Sequence, residues 1–91
     1  MRRVIYESHF DQKLKAIQPD FERADAFLQG VEWALRRDPT LGDQVKGTNV
    51  WCIPAADVFP QPLSILYTFD ESTVWMLSIE AVMLDDDDEW F

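Results

Sequence analysis

The sequence has very little cysteine and no long apolar segment. The chain of 91 residues contains one cysteine, Cys52, so no disulfide can form within it and no cluster of cysteine and histidine is available to bind zinc. Its uninterrupted apolar stretches are only a few residues long, well short of a membrane-spanning helix. The chain runs from Met1-Arg2-Arg3 straight into a strand-like segment rather than into the apolar core of a signal peptide. We therefore expect a cytoplasmic protein with no membrane segment, metal or cofactor.

Basic residues are also scarce: 8 Lys and Arg stand against 17 Asp and Glu, a net charge of −9. Five of the acids are consecutive near the terminus; without them, 12 acids against 8 basic residues leave −4 on the body of the chain. Phosphate backbones repel such a run, and basic surfaces attract it. The sequence therefore predicts one domain over residues 1-84 and an acidic tail over residues 85-91.

Three interpretations of the tail remain open. It is a disordered terminus that improves solubility, a docking segment whose aromatic end fills a pocket in a basic partner, or a flap over basic residues of the same chain. The partner-binding candidates are Asp85, Asp86, Asp87, Asp88, Glu89, Trp90 and Phe91.

The first half of the chain predicts a strand and two helices. Residues 3-7, RVIYE, are β-branched and aromatic, and Ser8 with Asp11 has the spacing of a capping box that starts a helix. Pro19 ends this helix, and the next one ends before Asp38-Pro39 because the residue before proline disfavours helical dihedrals. The apolar stripe of the second helix is Phe21, Ala24, Leu28, Val31 and Leu35, widened by Phe27 and Trp33.

The second half predicts three strands. Residues 45-53 form the first, closed by Pro54, and in the second the side chains of Leu63, Ile65, Tyr67 and Phe69 share one face. A short turn, Asp70-Glu71-Ser72, leads into the third, where Trp75, Leu77, Ile79 and Ala81 share a face. The last two strands must be antiparallel. We expect an α+β domain of order β-α-α-β-β-β, with a two-helix layer packed on a mainly antiparallel sheet of about four strands.

This element order resembles the RelE/ParE superfamily of bacterial type II toxins over roughly residues 3 to 82. The similar features are Asp38-Pro39 followed by Gly42, Val45-Lys46-Gly47 before a strand with Trp51, the strand from Leu63 to Tyr67, and a last strand ending in an isoleucine. The resemblance implies one of two activities: cleavage of messenger RNA on the ribosome, or inhibition of DNA gyrase. It also implies a cognate antitoxin as partner.

The basic residues of the ribonuclease branch are largely missing here. In the ribonuclease branch, arginines are expected at the positions of Ser64 and Pro54. The basic end of its last strand is replaced here by residues 80-84, EAVML, and by the acids at positions 85-89. Attack of a ribose 2′-OH on phosphorus needs a base, an acid and a cation. The sequence therefore favours a toxin-like protein that acts by binding, in the ParE manner, over an RNA-cleaving one.

The remaining catalytic candidates each have a simpler structural interpretation. Lys46 is either a phosphate ligand or a solvated charge at the edge of the sheet. Tyr67 is either a reactive hydroxyl or a buried core side chain. His9 has the pKa range of an acid-base catalyst but no obvious partner, so a surface position is its default. Arg36 and Arg37 contact nucleic acid or complement the carbonyl dipole at a helix end. Cys52 is predicted to fill the core rather than to act as a nucleophile.

Three functions follow from these alternatives. The favoured one is a ParE-like protein with gyrase as a candidate target; the second is a ribosome-dependent ribonuclease using Lys46, Tyr67 and His9. The third is a non-toxic adaptor or decayed family member that binds a basic protein through the tail. A second copy of the chain is a further candidate partner.

Overall fold

One strand and two helices form the first half of the chain. The computed structural model describes residues 1–17, 21–55 and 63–80, with β1 at Arg3–Tyr6, α1 at Ser8–Ile17 and α2 at Phe21–Arg37. The predicted strand and both helices are confirmed. Asp38 is extended, with φ −149° and ψ 91°, as the residue before a proline should be. Its carboxylate accepts the backbone N–H of Thr40 and caps the 3-10 helix Pro39–Leu41 that follows.

The predicted single strand over residues 45-53 is wrong, because the structure has a hairpin there. Strand β2 spans Asp43–Gln44 and pairs antiparallel with β3, Trp51–Pro54. The chain reverses at Gly47, whose φ of 78° is readily adopted only by glycine. The Thr48 hydroxyl supports the turn by donating to the carbonyl of Val45 at 2.8 Å. Val45 and residues 50-53 have the composition of a strand, but the polar turn residues 46-49 between them interrupt it.

Strands β4, Ser64–Phe69, and β5, Thr73–Glu80, complete a five-stranded sheet of order β1-β5-β4-β3-β2. β1 and β5 are parallel, and every other neighbouring pair is antiparallel. The α+β class and the mainly antiparallel sheet are therefore confirmed, with one strand more than expected. The buried core residues are Phe10, Ala24, Leu28, Val31, Leu35, Ala55, Leu63, Ile65, Tyr67, Val74, Met76 and Ile79.

A β-bulge in β5 changes which side chains face the core. Tyr67 pairs with Met76 while the preceding Leu66 pairs with Ser78, so Leu77 is an extra residue without a partner in β4. The predicted shared face of Trp75, Leu77 and Ile79 is therefore wrong. Met76 lies on the core side before the bulge and Ile79 after it, whereas Trp75 and Leu77 are half-buried. Ala81, assigned to the same face, lies outside the described residues.

Helix α2 buries four of the apolar positions predicted for it but not Trp33. Ala24, Leu28, Val31 and Leu35 are buried, and Phe27 packs partly against them. The Trp33 side chain remains 58% exposed, which corrects its assignment to the stripe. At about 100° per residue, position 33 lies roughly 200° around the helix from Val31 and from Leu35. Neither described helix is long and apolar enough to cross a membrane.

Candidate functional site

The Tyr67 hydroxyl lies inside the protein. It donates a hydrogen bond to the Pro39 carbonyl at 2.6 Å and accepts one from the Gly42 N–H at 3.1 Å. The side chain is 0% exposed, and burial raises the pKa of Tyr67 to about 12, opposed by the Gly42 N–H. A phenol that is buried, protonated at neutral pH and hydrogen-bonded on both sides cannot reach an RNA phosphate. Tyr67 therefore has a structural role.

Lys46 lies in the turn between β2 and β3 rather than at the start of a strand. Its side chain is exposed, and it borders a shallow, open depression formed by residues of the same turn. Among the residues that the structure describes, no hydrogen bond or ion pair joins any two of Lys46, Tyr67 and His9. The ribonuclease set predicted from the sequence is not assembled.

His9 is exposed at the surface, as predicted, but it does have a partner. Its Nε2 lies 3.8 Å from Glu80 Oε2 at the end of β5, and Lys13 Nζ lies 3.3 Å from the other carboxylate oxygen. The Ser78 hydroxyl also donates to Glu80. This hydrogen bond, followed by Lys13 and His9, lowers the pKa of Glu80 below its usual value. Helix α1 thus brings two basic side chains to one carboxylate.

Three of the positions that the sequence comparison sets against the ribonuclease resemblance, Pro54, Ser64 and Glu80, form one row across the sheet, and residues 81-84 lie outside the described residues. Pro54 of β3 pairs with Ser64 of β4, and Ser64 pairs with Glu80 of β5. The pairing of three strands thus gathers positions that are 10 to 26 residues apart in the chain. The row carries a proline ring, a serine hydroxyl and a carboxylate, and the carboxylate is contacted by His9 and Lys13 of α1. This arrangement was not visible from the sequence because it depends on register.

Arg36 and Arg37 both contact side chains of their own helix. Arg36 Nη2 is 3.7 Å from Glu32 Oε1, and the Arg37 guanidinium lies 4.6 Å from the centre of the Trp33 ring. Cation–π pairs of this kind hold both side chains in place. The i, i+4 spacing of Trp33 and Arg37 could have been noticed in the sequence. Nothing in the sequence indicated that Arg2 would come to the same helix end. The backbone N–H of Arg2 donates there to the backbone carbonyl of Arg36 at 3.4 Å.

Two further polar groups are used within the fold. The Tyr6 hydroxyl of β1 donates to Glu32 of α2 at 2.9 Å, and burial, followed by this carboxylate, raises the pKa of Tyr6 above its usual value. Cys52 is buried, as predicted, and its burial raises the pKa of the thiol. Within residues 1–17, 21–55 and 63–80, no group of His, Cys, Asp and Glu side chains could hold a metal ion.

The acidic tail, residues 85-91, lies outside the described residues. No family model matches the chain, and no curated protein or solved structure is significantly similar to it.

Proposed function

We propose that this chain is a toxin-like protein of the RelE/ParE kind that acts by binding a protein target rather than by cutting RNA. The observation that carries the proposal is the row of Pro54, Ser64 and Glu80. These positions are where the resemblance calls for cations on an RNA-cleaving surface, and none of the three side chains is basic. Among the described residues, the basic side chains that contact the Glu80 end of the row are Lys13 and His9.

The buried Tyr67 hydroxyl supports the same conclusion. General acid-base catalysis needs a group within hydrogen-bond reach of the substrate, and Tyr67 is fully enclosed. A protein that inhibits its target by contact needs no proton-transfer residues. The proposed target class is a bacterial enzyme such as gyrase, and the proposed natural inhibitor is an antitoxin.

A second candidate function is favoured by the contact between His9 and Glu80. His9, Glu80 and Lys13 supply an imidazole, a carboxylate and an ammonium group, and Glu80 lies 3.8 Å from His9 and 3.3 Å from Lys13. These are the group types needed for attack of a 2′-OH on phosphorus. This set replaces the combination of Lys46, Tyr67 and His9 expected from the sequence.

Expression of the full chain alone in bacterial cells separates the two functions. Our proposal predicts growth arrest with intact transcripts, together with loss of DNA supercoiling when the purified chain is added to gyrase. It also predicts that His9→Ala and Lys13→Ala arrest growth as the unchanged chain does. Lys15→Ala, an exposed lysine on the same helix, is the matched control.

Other results would overturn the proposal. Cleaved transcripts that become intact in His9→Ala but not in Lys15→Ala would identify a ribonuclease. Unimpaired growth at confirmed expression of folded protein would identify the non-toxic adaptor.

A further inference from the structure

Helix α2 has one exposed face. Its most prominent side chain is Trp33, which is 58% exposed. The face lies opposite the buried stripe and follows the three- and four-residue spacing of a helix side. Its members are Glu22, Ala26, Gln29, Gly30, Trp33 and Arg37, all exposed. Exposure of a tryptophan this large on a regular helix marks a candidate contact surface.

Gly30 at the centre of this face is not explained by packing within the fold. A Cβ atom at this position would meet nothing within 4 Å, so no residue that the structure describes requires glycine there. Glycine is among the least favourable residues in a helix interior. Its benefit is that a second backbone can approach closely, and Ala26 one turn earlier allows the same.

The face is complementary to itself. The first turn of α2 is acidic, with Glu22, and the last turn is basic, with Arg36 and Arg37. When two copies of the helix are placed antiparallel about a two-fold axis between Gln29 and Gly30, position 22 of one copy meets position 37 of the other. The same operation brings Trp33 onto Ala26 of the second copy, and each contact occurs twice.

We infer that the α2 faces of two copies of this chain pack antiparallel about that axis and form a homodimer. The Trp33 ring of each copy then packs over Ala26 of the other copy. The Arg37 guanidinium stacks on the ring of Trp33 and keeps its N–H edge free to contact a carboxylate of the second copy, since an arginine can stack and donate at once. The inference does not depend on the proposed function.

The size of the face predicts a weak dimer. One helix side is smaller than the roughly 800 Å² per partner of a stable complex. The mass of the full-length chain in sedimentation equilibrium should therefore rise from monomer to dimer as its concentration increases. Trp33→Ala should remove the dimer, with an unchanged circular dichroism spectrum.

Charge reversal tests the antiparallel arrangement itself. Arg37→Glu and Glu22→Arg should each weaken dimerisation by roughly tenfold, because two attractive pairs become repulsive. The double variant should restore it. Positions 22 and 37 are about 22 Å apart along one helix, so restoration can only come from contact between copies. Lys15→Glu makes the same charge change on α1 and should leave the dimer unaffected.

Three results would overturn the inference. The first is a chain that stays monomeric at every concentration up to its solubility limit. The second is a dimer that Arg37→Glu and Lys15→Glu weaken equally, and the third is a double variant that dimerises no more tightly than the single variants. A face that binds only an unrelated protein, with the chain itself monomeric, would give the first of these results.

Discussion

The Tyr67 hydroxyl donates a hydrogen bond to the Pro39 carbonyl at 2.6 Å, across 28 positions of sequence. The same oxygen accepts the Gly42 N–H, so one side chain of β4 holds both ends of the connection between α2 and the sheet. This connection contains the 3-10 helix and leads into β2. Tyr67 thereby fixes how the helical layer meets the edge of the sheet.

Tyr67→Phe should lower the free energy of unfolding by about 1–3 kcal/mol. The substitution leaves the Pro39 carbonyl and the Gly42 N–H without this partner, and a buried polar group without one costs that amount. Denaturant unfolding measures the change. Tyr6→Phe is the control, because Glu32 retains Arg36 nearby; we expect a smaller loss. Equal stability of Tyr67→Phe and the unchanged chain would contradict the structural role.

Two glycines should respond to alanine in opposite directions. A Cβ at Gly42 would lie 2.6 Å from both the Cys52 carbonyl oxygen and the Tyr67 hydroxyl, whereas at Gly30 it would meet open space. Gly42→Ala should destabilise by about 1–3 kcal/mol through overpacking. Gly30→Ala should stabilise by about 0.5–1 kcal/mol through helix propensity. Thermal unfolding of dilute protein measures both changes. A shift of the unfolding temperature in the same direction in both variants would contradict the crowded surroundings of Gly42 and the open surroundings of Gly30.

The turn between β4 and β5 should make stability depend on pH through Asp70. Its carboxylate accepts the N–H of Ser72 at 2.8 Å and of Thr73 at 2.9 Å. The Ser72 N–H is the largest cause that lowers the pKa of Asp70 below 3.8. A carboxyl whose pKa is lowered by folding contributes stability above its unfolded pKa and loses it as pH falls through the folded pKa.

Asp70→Asn keeps an acceptor oxygen and removes the charge. The stability difference between the unchanged chain and this variant should be greatest above about pH 5 and should shrink below pH 3.8. Urea unfolding at several pH values gives the comparison. A difference that is constant with pH would mean that the charge of Asp70 does not stabilise the turn.

If the tail docks on a basic partner, deletion of residues 85-91 should weaken a complex that co-purifies with the full chain. High salt should weaken it as well, through screening. Replacing the five acids by Asn and Gln while keeping Trp90 and Phe91 separates the charge from the aromatic end. A complex indifferent to the deletion and to salt would leave the tail without a docking role.

The elements that the sequence predicted best are those whose pattern is local. Both helices follow from periodicity, β1 follows from its β-branched and aromatic composition, and the end of α2 follows from Pro39. The hairpin at Gly47 was missed because its apolar flanks have the composition of one continuous strand. The face of β5 was assigned incorrectly because a bulge at Leu77 depends on pairing with β4. Trp33 was predicted to widen the apolar stripe of α2, but at about 100° per residue it lies roughly 200° from Val31 and from Leu35.

The candidate site was less predictable than the fold. The sequence supplied His9, Lys46, Tyr67, Arg36 and Arg37 as residue types, but it gave no indication of which would meet. The contact between His9 and Glu80 joins residues 71 positions apart, and the row of Pro54, Ser64 and Glu80 needs three strands in register. Such contacts depend on long-range packing, for which a single sequence has no periodic pattern.

By itself, the sequence determined the α+β class, the two amphipathic helices and the scarcity of cations, because these depend on composition and on the spacing of neighbouring residues. Tertiary structure alone decided that Tyr67 is enclosed, that Glu80 gathers His9 and Lys13, and that Trp33 faces outward. Each of these depends on how distant segments pack, and packing sets burial, hydrogen-bond partners and hence the pKa of each group.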